Sequence, residues 1–245
     1  MTTLIQRSFT GGEIAPALYG RSDTTKYATG LRTCKNGWVM RHGGWSNRPG
    51  TKYVGPVKEH DKKIRLIDFI FNSDQTYVLE FGHEYMRPIR NGSHILETGI
   101  NISGITQAQP GVITTVGAHG LVTGDEVYIT GVSGMIEINN QFYKVNVLSP
   151  TTFSVQYYPY GPLDTTQFGA YTSGGTLYRV YTITTPYQEI DLPKLKYVQS
   201  ADVVTIVHPE YQPRELKRLG TTNWTLTTIT FQPGIAAPGG VAVTG

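Results

Sequence analysis

The sequence has little cysteine, little charge and no long apolar run. Its single cysteine, Cys34, excludes an internal disulfide and a zinc site built from cysteines. No apolar run approaches the ~20 residues that span a bilayer, and the first residues lack the apolar core of a secretory signal. We therefore expect a chain that is made in the cytoplasm and has no membrane-spanning segment.

The overall composition indicates a globular β protein. Only 16% of the 245 residues are charged, and a net charge of +3 is too small to argue by itself for nucleic-acid binding. A hydrophobic content of 39% excludes a disordered chain. The residues in excess are glycine, tyrosine, threonine and valine, not the alanine, glutamate, lysine and leucine of a helical bundle.

The charges are unevenly placed along the chain. Residues 1–99 hold 14 basic and 9 acidic side chains, residues 100–180 hold 2 and 4, and residues 181–245 hold 5 and 5. This shift predicts three segments. They are an N-terminal arm with a short helix and the first part of a β platform (1–99), an inserted small β-barrel (100–180), and the second part of the platform with a Pro- and Gly-rich tail (181–245).

The two outer segments carry the alternating pattern of antiparallel strands. Ile64–Phe71 and Gln75–Phe81 are separated by turn residues, and Asn91-Gly92 is typical of a hairpin. Ala201–Val207 and Trp224–Phe231 follow in the last segment. We expect an antiparallel sheet platform, similar to the blade of a propeller.

The middle segment is denser in short strands. Strands of about six residues at short spacing predict a small closed barrel or a sandwich. The predicted strands are Val112–Val116, Glu126–Gly131, Phe142–Leu148, Thr152–Tyr157 and Thr176–Tyr181.

A helix is predicted between Asp23, as its N-cap, and Asn36-Gly37. Spacings of four, three and four residues place an apolar set on one face of it, and this set consists of Tyr27, Leu31, Cys34 and Trp38. The following Gly-rich loop, residues 41–50, is interpreted as a tight turn with Trp45 as its aromatic anchor, in preference to a phosphate-binding loop.

The sequence contains no recognisable catalytic motif. The six histidines are scattered, and the nucleophile elbow and the dinucleotide-binding glycine pattern are absent. Asp68 and Glu80 form a carboxylate pair of a kind that many β proteins offer. We predict a protein that is not an enzyme and needs no cofactor and no metal. The tyrosines Tyr157, Tyr158 and Tyr160 suit either a stacking surface or a loop without a ligand.

Three stretches resemble the tail nozzle (tail tubular or stabilisation) proteins of short-tailed bacteriophages. They are FTGGEIAPALYGRSDTTKYATGLRTCKNGWVMRHGGWSNRPGTKYV, IRLIDFIFNSDQTYVLEFGHEYMRPIRNG and TPYQEIDLPKLKYVQSADVVTIVHPEYQPRELKRLGTTNWTL. The middle segment resembles a small barrel module of ubiquitin-activating enzymes, with marks such as His119-Gly120-Leu121 and Asn140-x-x-Tyr143. This second resemblance implies a fold and no ubiquitin chemistry. The positions expected to serve as structural turn or core residues are Gly11, Gly12, Trp38, Gly124, Asp125, Gly131 and Trp224.

The first resemblance implies a mechanical role in the virion. Copies would form a six-fold ring beneath the portal and adaptor and would meet other tail proteins. The ring would retain the genome and then conduct double-stranded DNA without sequence specificity. The candidate subunit or adaptor contacts are Trp45, Arg48, Lys58, Lys62, Lys63, Arg65, Tyr157, Tyr158 and Tyr160, with the four cations from Lys58 to Arg65 facing outward or toward the adaptor. The alternatives are a receptor- or glycan-binding tail module and, less favoured, a cell-wall hydrolase.

Overall fold

The computed structural model describes residues 5–72, 75–157 and 161–231. The chain divides into two compact units between Tyr53 and Val54. The described residues form β-strands, nearly all in antiparallel pairs, and a few short helices, so the predicted mostly-β class is confirmed.

The first unit contains two small strand pairs and one short α-helix. Its elements are β1 (Gly12–Glu13), a 3-10 turn (Pro16–Leu18), α1 (Thr25–Ala28), β2 (Gly30–Leu31), β3 (Gly37–Val39) and β4 (Trp45–Asn47). β1 and β2 pair in parallel, whereas β3 and β4 form an antiparallel hairpin. A Cβ at Gly11 would lie 2.9 Å from the carbonyl oxygen of Thr29, and Gly12 has a φ of +66°, so both positions need glycine.

The helix of this unit is much shorter than the predicted one. α1 covers four residues, and its N-cap is Thr24, not Asp23. The Thr24 hydroxyl accepts a hydrogen bond from the backbone N–H of Tyr27. Gly30 is a weak helix former and pairs with Gly12 in β2, so the helix cannot continue.

The residues beyond α1 consequently differ from the predicted helical face. Trp38 lies on β3 with half of its surface exposed. Cys34 is half-buried in the preceding loop, where its Sγ accepts the indole N–H of Trp45 at 3.2 Å. Residues 40–44 form the tight turn between β3 and β4, in which Gly43 has a φ of +95°, as the turn interpretation predicts.

The second unit contains sixteen strands within the described residues. They are β5 (Arg65–Asn72), β6 (Gln75–Gly82), β7 (Tyr85–Arg90), β8 (Ser93–His94), β9 (Ile100–Ile105), β10 (Val112–Thr115), β11 (Glu126–Ser133), β12 (Gln141–Ser149), β13 (Thr152–Tyr157), β14 (Gly161–Pro162), β15 (Ser173–Arg179), β16 (Ile183–Thr184), β17 (Lys196–Ser200), β18 (Val203–His208), β19 (Tyr211–Gly220) and β20 (Asn223–Thr228). Two 3-10 turns accompany them, Ile136–Ile138 and Leu192–Lys194.

Two antiparallel sheets form the platform. The first has the order β16–β7–β6–β5 with β8 added to β7, and the second has the order β17–β18–β19–β20. Trp224 is 4% exposed, and its ring lies 4.9 Å from that of Phe69 and 5.4 Å from that of Tyr77. These three aromatic side chains join the two sheets in one apolar core, so the predicted core role of Trp224 agrees with its position.

Side chains also bridge the facing edges of the two sheets. Gln199 of β17 accepts a hydrogen bond from the backbone N–H of Ile70 at 3.0 Å and donates one to the Ile70 carbonyl at 2.7 Å. The Tyr197 hydroxyl donates to Asp68 at 2.8 Å. The Gln199 amide thus takes the place of a peptide group that a neighbouring strand would supply.

The remaining strands form a closed barrel. The ring runs β10–β9–β15–β11–β12–β13, and β13 pairs back with β10, so six strands enclose the interior. β14 is attached to β13 outside the ring. Fourteen buried apolar side chains fill the barrel, among them Ile113, Ile129 and Phe153 at 0% exposure.

The predicted turn residues shape two places in the barrel. Gly124 has a φ of +98° and stands just before β11, where the Asp125 carboxylate accepts a hydrogen bond from the N–H of Val122. Gly131 has a φ of +75°, and the pairing of β11 with β15 skips this residue. Glycine suits both positions because other residues rarely adopt a positive φ.

Candidate functional site

Buried polar side chains lie where the barrel meets the platform. This junction cluster consists of Lys58, Glu80, Tyr85, Arg87, His94 and Glu126. Glu80 and Arg87 are cross-strand neighbours on β6 and β7, whereas Glu126 opens the barrel strand β11. Apart from Lys58, each member is 7% exposed or less. The cluster is the main polar connection between the two β regions.

An ion pair lies at the centre of the junction cluster. The Arg87 Nη2 donates to the Glu126 carboxylate at 2.7 Å, and the Arg87 Nε donates to the Thr182 hydroxyl at 3.3 Å. Burial raises the pKa of Glu126, and the Arg87 guanidinium acts in the opposite direction. Removing either partner would leave the other as an uncompensated buried charge. The pair therefore ties the barrel to the platform.

Three further members, Glu80, Tyr85 and Lys58, lie beside the ion pair. The Tyr85 hydroxyl donates to Glu80 at 2.7 Å, and burial together with this carboxylate raises the pKa of Tyr85. The Lys58 ammonium lies 5.4 Å from the centre of the Tyr85 ring. Burial and the nearby Arg87 lower the pKa of Lys58.

His94 completes the junction cluster. Its Nε2 lies 3.2 Å from the carbonyl oxygen of Pro56, which makes the nitrogen a donor because that oxygen can only accept. Burial lowers the pKa of His94 to about 4, and Arg87 adds to the shift. The imidazole is therefore neutral at neutral pH. Five of the six side chains are closed off from solvent, so their arrangement suits holding two regions together.

A second buried cluster lies beside the turn between β18 and β19. The Tyr211 hydroxyl donates to Asp191 at 2.7 Å, and the His208 Nε2 lies 3.8 Å from the same carboxylate. The other ring nitrogen of His208 accepts the backbone N–H of Glu210 at 3.1 Å. Because this nitrogen is occupied, the histidine–aspartate pair has no free base nitrogen for catalysis.

The outer surface of the barrel carries apolar side chains at one end. The loop 116–125 and the turn between β12 and β13 meet there, since the His119 N–H donates to the Pro150 carbonyl and the Val147 N–H donates to the Thr123 hydroxyl. Three exposed side chains lie on this loop and at the adjoining end of β12, and we call them the end patch: Val116, Val122 and Leu148. Exposed Ile136 lies at the opposite end, between β11 and β12.

Four of the predicted contact residues are cations of residues 58–65. Lys58 is half-buried in the junction cluster, and Arg65 donates to the carbonyl oxygens of Leu192 and Leu195, both at 2.7 Å. Lys62 pairs with Glu59 at 2.6 Å. Lys62 and exposed Lys63 line an open cleft of about 490 Å³.

The aromatic contact candidates are spread over the chain. Trp45 is 41% exposed on β4, and Arg48, also exposed, donates to the side chain of Asn36 at 3.2 Å. Tyr157 ends β13, with its ring 6.0 Å from that of Tyr143. Tyr158 and Tyr160 lie outside the described residues. Of the predicted contact residues that the structure describes, Lys58 alone belongs to the junction cluster, and the other members of the cluster were not among the predicted contacts. A sequence signal existed, because Arg87 stands between the apolar residues Met86 and Pro88 inside a strand.

Two features are absent from the described residues, a metal-binding cluster and a membrane-spanning helix. No group of three or more His, Cys, Asp or Glu side chains there is arranged to hold a metal ion. No helix in the same part of the chain has the length and apolar character needed to cross a membrane.

The fold defines a chain of the small closed-barrel class, carried on a β platform. Residues 108–181, which include most of the barrel, match the family of the ubiquitin-activating enzyme E1 FCCH domain. The chain is 35% identical over 162 residues to ubiquitin-like modifier-activating enzyme 1 of Homo sapiens, which covers 54% of this chain and 14% of that protein. It is 32% identical over 133 residues to ubiquitin-like modifier-activating enzyme 6 of Homo sapiens, covering 54% and 12%. The mouse form of enzyme 1 is 35% identical over 104 residues, covering 41% and 9%.

These matches confirm one resemblance and contradict the function that was inferred from the other. The barrel is similar to the module of ubiquitin-activating enzymes, as expected from its turn residues. The tail nozzle function is wrong, because the matched family and relatives are ubiquitin-activating and modifier-activating enzymes. The virion location is wrong for the same reason, since these relatives are cellular enzymes of mammals. The receptor-binding and hydrolase alternatives find no support in the matches. The ring, portal, adaptor and DNA partners stay predictions that the matches do not test.

The matches cover only a small part of the length of each relative. The chain spans 14% or less of the length of these three relatives. The matched segment 108–181 contains no cysteine, because the single cysteine is Cys34. A thiolate nucleophile is therefore absent from the part of the chain that matches the family model.

Proposed function

We propose that this chain is a non-catalytic protein-interaction module, in which the FCCH-like barrel is held on the platform and presents its outer surface to a protein partner. The observation that carries the proposal is the closed barrel itself. Its interior is filled by fourteen buried apolar side chains, so the residues available to a partner lie on the outside.

The end patch is the contact surface that we favour. Val116 is 72% exposed, Val122 63% and Leu148 54%. Exposed apolar side chains that lie together are frequent in protein interfaces. The segment 100–180 also has only six charged residues, which matches the depletion of charge at the centre of interfaces.

The partner class that we propose is a ubiquitin-like modifier. The support is the names of the relatives, which act on such modifiers, and the match of the barrel to a domain of ubiquitin-activating enzymes. The junction cluster has a supporting role in this proposal. It fixes the barrel on the platform, which lowers the entropy that ordering costs on binding.

The test is a titration of the ¹⁵N-labelled full chain with ubiquitin, followed by amide chemical shifts. We expect saturable shifts around the end patch. Val122→Asp and Leu148→Asp should each weaken binding about tenfold, because each places a charge in an apolar contact. Ile136→Asp is the matched control, since it puts the same charge on an exposed apolar residue at the other end of the barrel.

Two results would contradict the proposal in different ways. Shifts that map onto the platform alone would remove the end patch as the contact. Titrations without any shift, for ubiquitin and for a second ubiquitin-like modifier, would remove the proposed partner class.

A further inference from the structure

The first unit contains an open cleft that none of the preceding arguments uses. Its volume is about 460 Å³, which lies in the range of small-molecule sites. Apolar and aromatic side chains supply most of the wall, and they include Ile14, Tyr19, Tyr27 and Ala28. All lining residues lie between positions 5 and 32, so the first unit forms the cleft by itself.

Hydrogen bonds between distant segments hold the wall in place. The Gln6 side chain donates to the Gly30 carbonyl at 2.8 Å, and the Ile14 N–H donates to the Leu31 carbonyl at 3.0 Å. Gly30 allows this close approach, since a Cβ there would lie 2.5 Å from a methyl group of Ile14. The cleft is therefore a built feature of the β1–β2 pair and α1.

One cation lies at the cleft, and tyrosine positions it. The Arg32 guanidinium lies 5.2 Å from the centre of the Tyr19 ring, and the Tyr19 hydroxyl donates to the Arg32 carbonyl at 3.1 Å. Among the described residues, no carboxylate lies within 4.0 Å of the Arg32 guanidinium. The lining contains no acidic residue. Stacking on an aromatic face leaves the N–H groups at the guanidinium edge free to donate.

The surrounding charge favours an anion. Residues 1–53 contain eight basic and two acidic side chains, whereas the rest of the chain has more acidic than basic side chains. A local excess of one sign attracts ligands of the other sign.

We propose that this cleft binds a small carboxylate with an aromatic or branched apolar body. The body would pack against Tyr27, Ile14 and Ala28, and the carboxylate would accept hydrogen bonds from Arg32. The site goes beyond the proposed function, because it lies outside the barrel and needs no protein partner.

The test compares 4-phenylbutyrate with its neutral amide on the ¹⁵N-labelled full chain. We expect saturable shifts at residues 5–32 at millimolar concentrations of the acid, and about fivefold weaker binding of the amide. That ratio corresponds to the ~1 kcal/mol of an exposed ion pair. Added salt should reduce the difference between the two ligands.

Variants of two arginines sharpen this test. Arg32→Gln should reduce the affinity for the acid to that for the amide, whereas Arg7→Gln, at an exposed arginine of the same unit outside the lining, should leave it unchanged. Ala28→Leu should weaken both ligands, because the longer side chain occupies the cleft. Equal binding of acid and amide by the unaltered chain would overturn the proposal, as would shifts outside residues 5–32. The unaltered chain decides the question even if a variant does not fold.

Discussion

The barrel and the platform are both antiparallel, but their strand edges are satisfied in different ways. In the barrel, β13 pairs back with β10, so every strand of the ring has two backbone neighbours. In the platform, β5 and β17 are the edges of two separate sheets, and side chains such as Gln199 and Tyr197 bridge them. Backbone pairing is available to nearly any sequence, whereas the bridge depends on particular residues. The strands of the barrel should thus tolerate surface substitutions that the platform edges do not.

The interiors of the two regions also differ from the connection between them. Each has its own apolar core, and the connection between the two carries buried charges, with Arg87 on the platform and Glu126 on the barrel. Apolar contact stabilises each part, and the ion pair determines how the parts are joined.

The largest expected effect comes from breaking this ion pair. Arg87→Met should lower the free energy of unfolding by roughly 3–5 kcal/mol, because it leaves the Glu126 carboxylate buried without its partner. The double variant Arg87→Met/Glu126→Leu should recover most of the loss, since it removes both charges. Urea unfolding followed by tryptophan fluorescence and far-ultraviolet circular dichroism measures both. A loss below about 0.5 kcal/mol for Arg87→Met, the size of a surface effect, would show that the pair does not join the regions.

The next largest expected effect is the pH dependence of stability that His94 causes in the junction cluster. Its pKa is about 4 in the folded chain and 6.5 as the ordinary value, so the fold favours the neutral imidazole. This contribution is fully present above pH 6.5 and is lost as the pH falls toward 4, by up to about 3 kcal/mol. Glu126 works in the opposite direction, because burial raises the pKa of its carboxyl.

The variant His94→Gln isolates this effect. It cannot be protonated in this range, so its unfolding free energy should fall less between pH 7 and pH 4 than that of the unaltered chain. The comparison of slopes is independent of any constant loss of stability caused by the substitution. Parallel slopes would contradict the assigned role of His94.

The smallest expected effect compares a platform edge with a barrel strand directly. Gln199→Ala should cost about 1 kcal/mol, because it removes both hydrogen bonds to the Ile70 backbone from a partly exposed site. The matched barrel variant Gln156→Ala should change stability by less than about 0.5 kcal/mol, since the backbone of this residue pairs with Lys144 of β12 on one side and Pro162 of β14 on the other. Thermal or urea unfolding of the two variants side by side gives the difference. Equal losses would remove the distinction between the regions.

The strand pattern predicted much of the barrel, because its signals are local. Asp125 and Gly124 mark a turn, and Thr152–Tyr157 has the predicted bounds in the structure. Several strands were missed, and two of the longer ones, β9 in the barrel and β19 in the platform, were missed for reasons that are also local. β9 contains a glycine and two polar residues among its isoleucines, and β19 contains a proline and four charged residues, so neither shows a simple alternation.

The helix of the first unit and the junction cluster show what sequence patterns cannot predict. The helical spacing of Tyr27, Leu31 and Cys34 was real, but the pairing of Gly30 with Gly12 decided the conformation. Arg87 and Glu126 are 39 positions apart in the chain, and no periodicity relates them.

The sequence by itself determined the mostly-β class, the small barrel and its similarity to a module of ubiquitin-activating enzymes. Alternation, turn glycines and local spacing carry this information, because each acts on neighbouring residues. Only the tertiary structure decided the closure of the ring by β10 and β13, the bridge between β5 and β17, the buried ion pair and the cleft beside Arg32. Each of these joins segments that are distant in sequence, and such contacts form only when the whole chain is packed.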